Sequence, residues 1–137
     1  MVSRREHFEL SEWYYERAKE FKQTADYISK DYPTVKIGYI SLAIASLVFS
    51  DDHLLNWFLY PHEFTSRTKR HSFFRSHKKV RNNPMLYSYP PMTLVTRNIV
   101  VYLKGEENCI SALDKTYSSI DRIFRRADNV RNIIKKV

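Results

Sequence analysis

Residues 67–81 read RTKRHSFFRSHKKVR, with seven Lys or Arg, two His and two adjacent Phe among fifteen positions. If this stretch is helical, Arg70 and His77 lie seven residues apart and point in nearly the same direction. Phe73 and Phe74 fall between them. An arginine fork holds phosphate oxygens in pairs. A histidine can take the proton from a ribose 2′-hydroxyl while the arginine stabilises charge building on the phosphate. Arg70 as phosphate clamp and His77 as general base or acid would make a metal-free RNA-cleaving pair. His71 is a further proton carrier in that scheme.

Three other readings compete. Arg67, Lys69, Arg75, Lys78, Lys79 and Arg81 can bind a polyanion without cutting it, each phosphate contact releasing counterions. The same residues can form a solvated face over Phe73, Phe74 and Val80 packed inward. Metal binding fits poorly, because His71 and His77 are six apart, on opposite sides of a helix, with no carboxylate nearby. No metal or cofactor is expected.

Charge placement favours a polyanion. The chain of 137 residues has 23 Lys plus Arg against 15 Asp plus Glu. From Phe64 to Gly105 there are nine basic residues and no acidic one, leaving 14 basic against 15 acidic elsewhere. Beyond residues 67–81 this third contains Arg97 and Lys104. A local excess of this kind attracts polyanions. Tyr87, Tyr89 and Tyr102 lie in the same third and suit stacking on unpaired bases; core or interface packing is the alternative. A nucleotide-binding glycine loop is excluded, since Gly38 and Gly105 are the only glycines.

The elements that must position these groups read as helices. Leu10, Tyr14, Ala18, Phe21, Ala25, Ile28 and Tyr32 recur at steps of three and four, with Ser11 as expected N-cap and Pro33 as stop. Thr34 is expected to cap a second helix, apolar on every face from Val35 to Phe49 and buried on most sides. Asp51 and Asp52 are read as ending that helix or capping a further piece. Residues 61–68 read as a loop and 82–91, with three prolines, as an extended connection. Residues 92–103 are rich in β-branched side chains, but no second strand pattern exists to pair with them, so a helix is predicted. Ile110, Leu113, Tyr117, Ile120, Phe124, Ala127, Val130, Ile134 and Val137 mark a last helix. Its basic C-terminal half suits the helix dipole.

The expectation is one all-α domain over 1–137, an up-and-down bundle of four to five helices. The lone Cys109 cannot form an internal disulfide, which points to a reducing, cytoplasmic setting; it is expected as a half-buried thiol. The charged N-terminus lacks the apolar run of a signal peptide. The longest charge-free apolar stretch, 37–50, is too short to span a bilayer, so no membrane partner is expected.

Three segments resemble the HEPN superfamily of small α-helical domains. EWYYERAKEFKQTADYI is similar to its opening amphipathic helix, and GYISLAIASLVF to its small-residue-rich second helix. RHSFFRSH fits its R-x4-6-H signature at the longest spacing, with polar His71 following Arg70. The position two after the histidine, Tyr in some toxins of the family, is Lys79. The resemblance covers roughly residues 10–80. It implies a homodimer with paired motifs that cuts RNA, rather than DNA, without metal; some members of the family bind without cutting. A non-catalytic nucleic-acid-binding protein and a subunit docking an acidic protein partner are the alternatives.

Overall fold

The structure is a computed structural model that describes residues 2–61 and 77–136, with residues 88–95 and 118 described by backbone alone. Among the described residues there are five helices and no strand: α1 (Arg4–Tyr27), α2 (Pro33–Leu59), α3 (Lys78–Arg81), α4 (Pro84–Tyr102) and α5 (Cys109–Lys136).

Each boundary has a local cause. The Ser3 side chain accepts from the Glu6 N–H at 3.1 Å and caps α1. Ser11, the expected cap, instead lies two turns inside the helix and is fully buried. Helix α1 stops at Tyr27, well before Pro33, because Lys36 supplies the last carbonyls with partners. Its ammonium donates to Ala25 O at 2.7 Å and Ile28 O at 2.8 Å. Pro33 therefore opens α2, where a missing N–H costs nothing. Thr34 is inside α2, and Tyr32 occupies the cap position without a side-chain bond.

Helix α2 runs unbroken through Asp51 and Asp52 for 27 residues. That length and composition would allow it to cross a membrane. Here α1, α4 and α5 all pack against it, as against a core helix. Ile40, Ile44, Leu47 and Leu54 are its inward row, each at most 1 % exposed. Full burial of such side chains stabilises by about 1.5–3 kcal/mol apiece.

The expected extended connection at 82–91 is mostly helix. Asn83 Oδ1 accepts from Met85 N at 3.1 Å and Leu86 N at 3.4 Å, a proper N-cap, and Pro84 takes the first helical position. Pro90 and Pro91 each forgo a helical hydrogen bond. Leu86 and Val100, both in the core, anchor the helix on either side of them. The predicted helix over 92–103 is present as the second half of α4. Leu103, in the left-handed region at φ 51°, ends it, and Gly105 follows at φ 79°.

Contacts fix the topology. His7 meets His53, Ser11 meets Ser50 and Phe21 meets Tyr39, so α1 and α2 are antiparallel. Glu12 meets Arg131 and Lys22 meets Asp121, so α1 and α5 are antiparallel too. Lys79 lies over Phe58, while the Ser41 hydroxyl donates to Val100 O, so α4 runs against α2. The four long helices form the expected up-and-down bundle. Cys109 is half-buried against the core, as predicted.

Candidate nucleic-acid interface

Only part of the basic segment lies within the described residues: Arg67, Lys69, Arg70, His71 and Arg75 lie outside them. His77, Lys78, Lys79 and Arg81 lie inside. His77 is half-buried, and its backbone is extended at φ −78°, ψ 132°, so it caps α3 rather than continuing a helix into it. A single helix through 67–81 is therefore ruled out at His77. Helical spacing does not carry through His77, and Arg70 lies outside the described residues.

The single turn α3 presents cations around one anchor. Val80 is fully buried, while Lys78, Lys79 and Arg81 are exposed. The His77 carbonyl accepts from Val80 N at 3.0 Å and Arg81 N at 2.9 Å, which closes the turn. Lys79 places its ammonium 5.3 Å from the Phe58 ring centre, so its stem lies along apolar surface while its charge stays in water.

The described cations divide by whether they form ion pairs. Arg5, Arg17, Lys19, Lys22, Lys115, Arg131 and Lys135 all form ion pairs with carboxylates. Lys78, Lys79 and Arg81 form no ion pair with a described carboxylate, and neither do the exposed Lys30, Lys104, Arg122, Arg125 and Lys136. The acid-free sequence around them supplies no local carboxylate.

The basic third does not act as one patch. Helix α4 separates Arg81 from Lys104 by about 28 Å, at 1.5 Å per residue. Arg97 is half-buried, donating to Asn98 Oδ1 at 3.2 Å with its guanidinium over the Tyr102 ring. Tyr102 is 67 % exposed at that far end, whereas Tyr87 is exposed near the start of α4.

A second polar constellation was invisible to apolar periodicity. Helix α1 buries Ala18 and Ala25 of the predicted row, but in its first turns His7, Ser11 and Tyr15 rather than Leu10 and Tyr14. Arg131 of α5 donates from one terminal nitrogen to Ser50 Oγ at 2.8 Å and Ser11 Oγ at 3.2 Å, and from the other to Glu12 at 2.5 Å. Its guanidinium lies 4.2 Å from the Tyr15 ring centre, and the Tyr15 hydroxyl donates to Asp128. Burial raises the Glu12 pKa, but Lys135 and Arg131 together bring it below the ordinary carboxylate value. One turn along the same seam, the Nδ1 atoms of His7 and His53 lie 3.0 Å apart, within hydrogen-bond reach. Burial, then the charge on His7, lowers the His53 pKa. This seam ties three helices together. Its serines and histidines carry no sequence signal of burial, because each is made tolerable only by a partner remote in the chain.

Comparison with protein-family models, with characterised proteins and with solved structures gives no match, so the functional reading rests on the chemistry of the chain itself.

Proposed function

We propose that this chain is a nucleic-acid-binding helical protein that takes up single-stranded RNA phosphates through the basic segment 67–81. The observation that carries this is the set of exposed cations Lys78, Lys79 and Arg81, unpaired with any described carboxylate and held outward by Val80. These three cations cluster on one turn within an acid-free stretch, with no ion-pair partner among the described residues. RNA is preferred over DNA on the HEPN-like resemblance. Cleavage by Arg70 and His77, with His71 assisting, is the second step of the same proposal. It requires the two groups to reach one phosphodiester.

Fluorescence anisotropy with a short single-stranded RNA tests the binding step. Affinity is expected to fall roughly 300-fold between 50 and 200 mM salt if about six phosphates of a single strand are contacted. Replacing Lys78, Lys79 and Arg81 together by Ala is expected to lower the salt slope by about 2, at roughly 0.7 per lost contact on a single strand. A flat salt response, or an unchanged slope in the triple variant, refutes the reading. Strong binding to an acidic protein partner with none to RNA would replace it. For the catalytic step, Arg70→Ala and His77→Ala are expected to abolish RNA cleavage in EDTA while binding persists. Cleavage that survives both changes sinks that step alone.

A further inference from the structure

Where α1 begins and α2 ends, cations sit against aromatic rings. The Phe8 and Trp57 ring centres lie 5.3 Å apart, with the rings tilted by 54°. The Arg4 guanidinium lies 4.5 Å from the Trp57 ring centre, and its Nε donates to Trp57 O at 3.1 Å. The Lys135 ammonium, from the end of α5, lies 5.4 Å from the Phe8 ring centre. Arg4, Arg5, Phe8 and Trp57 line an open pocket of about 420 Å³. Phe8 and Trp57 are half-buried there, while Arg4 and Arg5 are exposed.

Charge and position both mark this pocket. Arg5 is balanced by Glu9 at 2.9 Å and Lys135 by Glu12 at 2.7 Å. Arg4 forms no ion pair with a described carboxylate, and its bond to the Trp57 carbonyl uses Nε alone, which leaves both terminal nitrogens as donors for a ligand. Trp57 and Phe58 are consecutive, about 100° apart around α2. Lys79 lies against the Phe58 ring as Arg4 lies against that of Trp57. The pocket therefore adjoins the cations of α3 across the last turn of α2.

We propose that the pocket takes one unpaired base of the strand whose phosphates lie on Lys78, Lys79 and Arg81, stacked on the Arg4 guanidinium. Resting on the RNA-binding reading, the stack supplies a cause for single-strand preference. A duplex offers phosphates as readily as a single strand does, so the three cations of α3 cannot tell the two apart. Only a strand with a free base face can lie on a side-chain plane. A guanidinium suits that task, being planar, always charged and weakly hydrated. Trp57 and the Nε–carbonyl bond already hold Arg4 in place, so little side-chain freedom is lost when a base arrives. An acidic peptide is a poorer occupant, because it would answer the charge and leave the planar surface unused.

Trp57 is one of two tryptophans, so in the Trp13→Phe chain its fluorescence reports on the pocket while anisotropy reports on binding. Three labelled probes of equal length separate the contributions: single-stranded oligoadenylate, an abasic ribose-phosphate strand, and an oligoadenylate–oligouridylate duplex. Oligoadenylate is expected to quench Trp57. The abasic strand and the duplex are expected to bind through phosphate without quenching it, each about tenfold more weakly at the same salt, the loss of one stacked base. Arg4→Lys keeps the charge and removes the plane. It should weaken oligoadenylate about tenfold, leave the abasic strand unaffected and leave the salt slope unchanged. Its circular dichroism should match that of the parent, since Arg4 is exposed. Equal affinity for oligoadenylate and the abasic strand, with Trp57 emission unmoved, overturns the pocket and leaves the phosphate reading standing. So does an Arg4→Lys chain that binds oligoadenylate as the parent does, or quenching by the duplex. Absence of binding to every probe removes both readings together.

Discussion

Arg131→Met is the sharpest test of how the bundle is held together. The substitution keeps an unbranched chain of similar reach and removes the guanidinium. Ser50 and Ser11 lose charged donors at 2.8 and 3.2 Å, inside a seam where both serines are fully buried. Hydrogen bonds to a charged group contribute about 1.5–3 kcal/mol each, and the longer Ser11 bond belongs below that range. Glu12 also loses a partner, but its side chain is 38 % exposed and keeps Lys135 at 2.7 Å, so that loss is discounted for solvent. The contact with the Tyr15 ring adds about 1 kcal/mol. Met recovers part of this through packing, leaving a net loss of about 2–4 kcal/mol, set against a total of about 5–15 kcal/mol for an ordinary domain. Urea unfolding followed by circular dichroism should show the midpoint falling by about 1.5 M, for a slope near 2 kcal/mol per M. The combined variant Ser11→Ala, Ser50→Ala, Arg131→Met should lose less than the sum of its three single changes, because Arg131, Ser11 and Ser50 share one network in which Ser50 Oγ also donates to Ser11 O at 2.8 Å. A loss below about 0.5 kcal/mol, the usual range for surface substitutions, would refute the picture of a buried guanidinium tying three helices. Strict additivity of the three changes would refute it as well, since residues in one network should couple.

Lys36→Met should lose about 2–3 kcal/mol in the same assay, because the Ala25 and Ile28 carbonyls at the end of α1 lose a charged donor; an unchanged midpoint would show that solvent can cap α1 equally well. For His53, burial and the His7 charge lower the folded pKa below its ordinary 6.5, so the fold prefers the neutral ring. The unfolded chain takes up a proton first as pH falls, and stability is intact above pH 6.5 and lost progressively below it. His53→Gln should flatten that loss between pH 7.5 and 5.5, and identical slopes for the two proteins would refute it. Glu12, whose folded pKa is lowered, acts in a separate window: its stabilisation is present above pH 4.5 and is lost as pH falls from there through the folded pKa.

How much of this was legible depended on what each residue needs from its surroundings. The periodicity of α5 placed Leu113, Ile120, Phe124, Ala127, Val130 and Ile134 inward, and all six are buried. Along α1 the same reasoning placed Ala18 and Ala25 inward, as they are, but missed the first two turns. It took Tyr14 for Tyr15 and passed over His7 and Ser11, which are buried because α2 and α5 bring them partners. The segment 82–91 read as extended on its three prolines. Asn83 capping and the burial of Leu86 and Val100 outweigh the two interior prolines there, and neither effect is local. At the candidate interface, the charge of Lys78, Lys79 and Arg81 was plain, but the break at His77 was not.

The sequence by itself determined the helical class, the last helix, the central apolar helix and the segregation of charge. Each of these follows from properties a residue carries wherever it sits: its transfer free energy, its charge and its backbone preference. Tertiary structure alone decided which residues in the first turns of α1 face inward, how Arg131 joins Ser11, Ser50 and Glu12, and that α3 begins at an extended His77. The cost of burying a polar group is not a property of that group alone. It depends on a partner that, for Ser11, lies 39 and 120 residues further along the chain, at Ser50 and Arg131. Only folding brings that partner within reach.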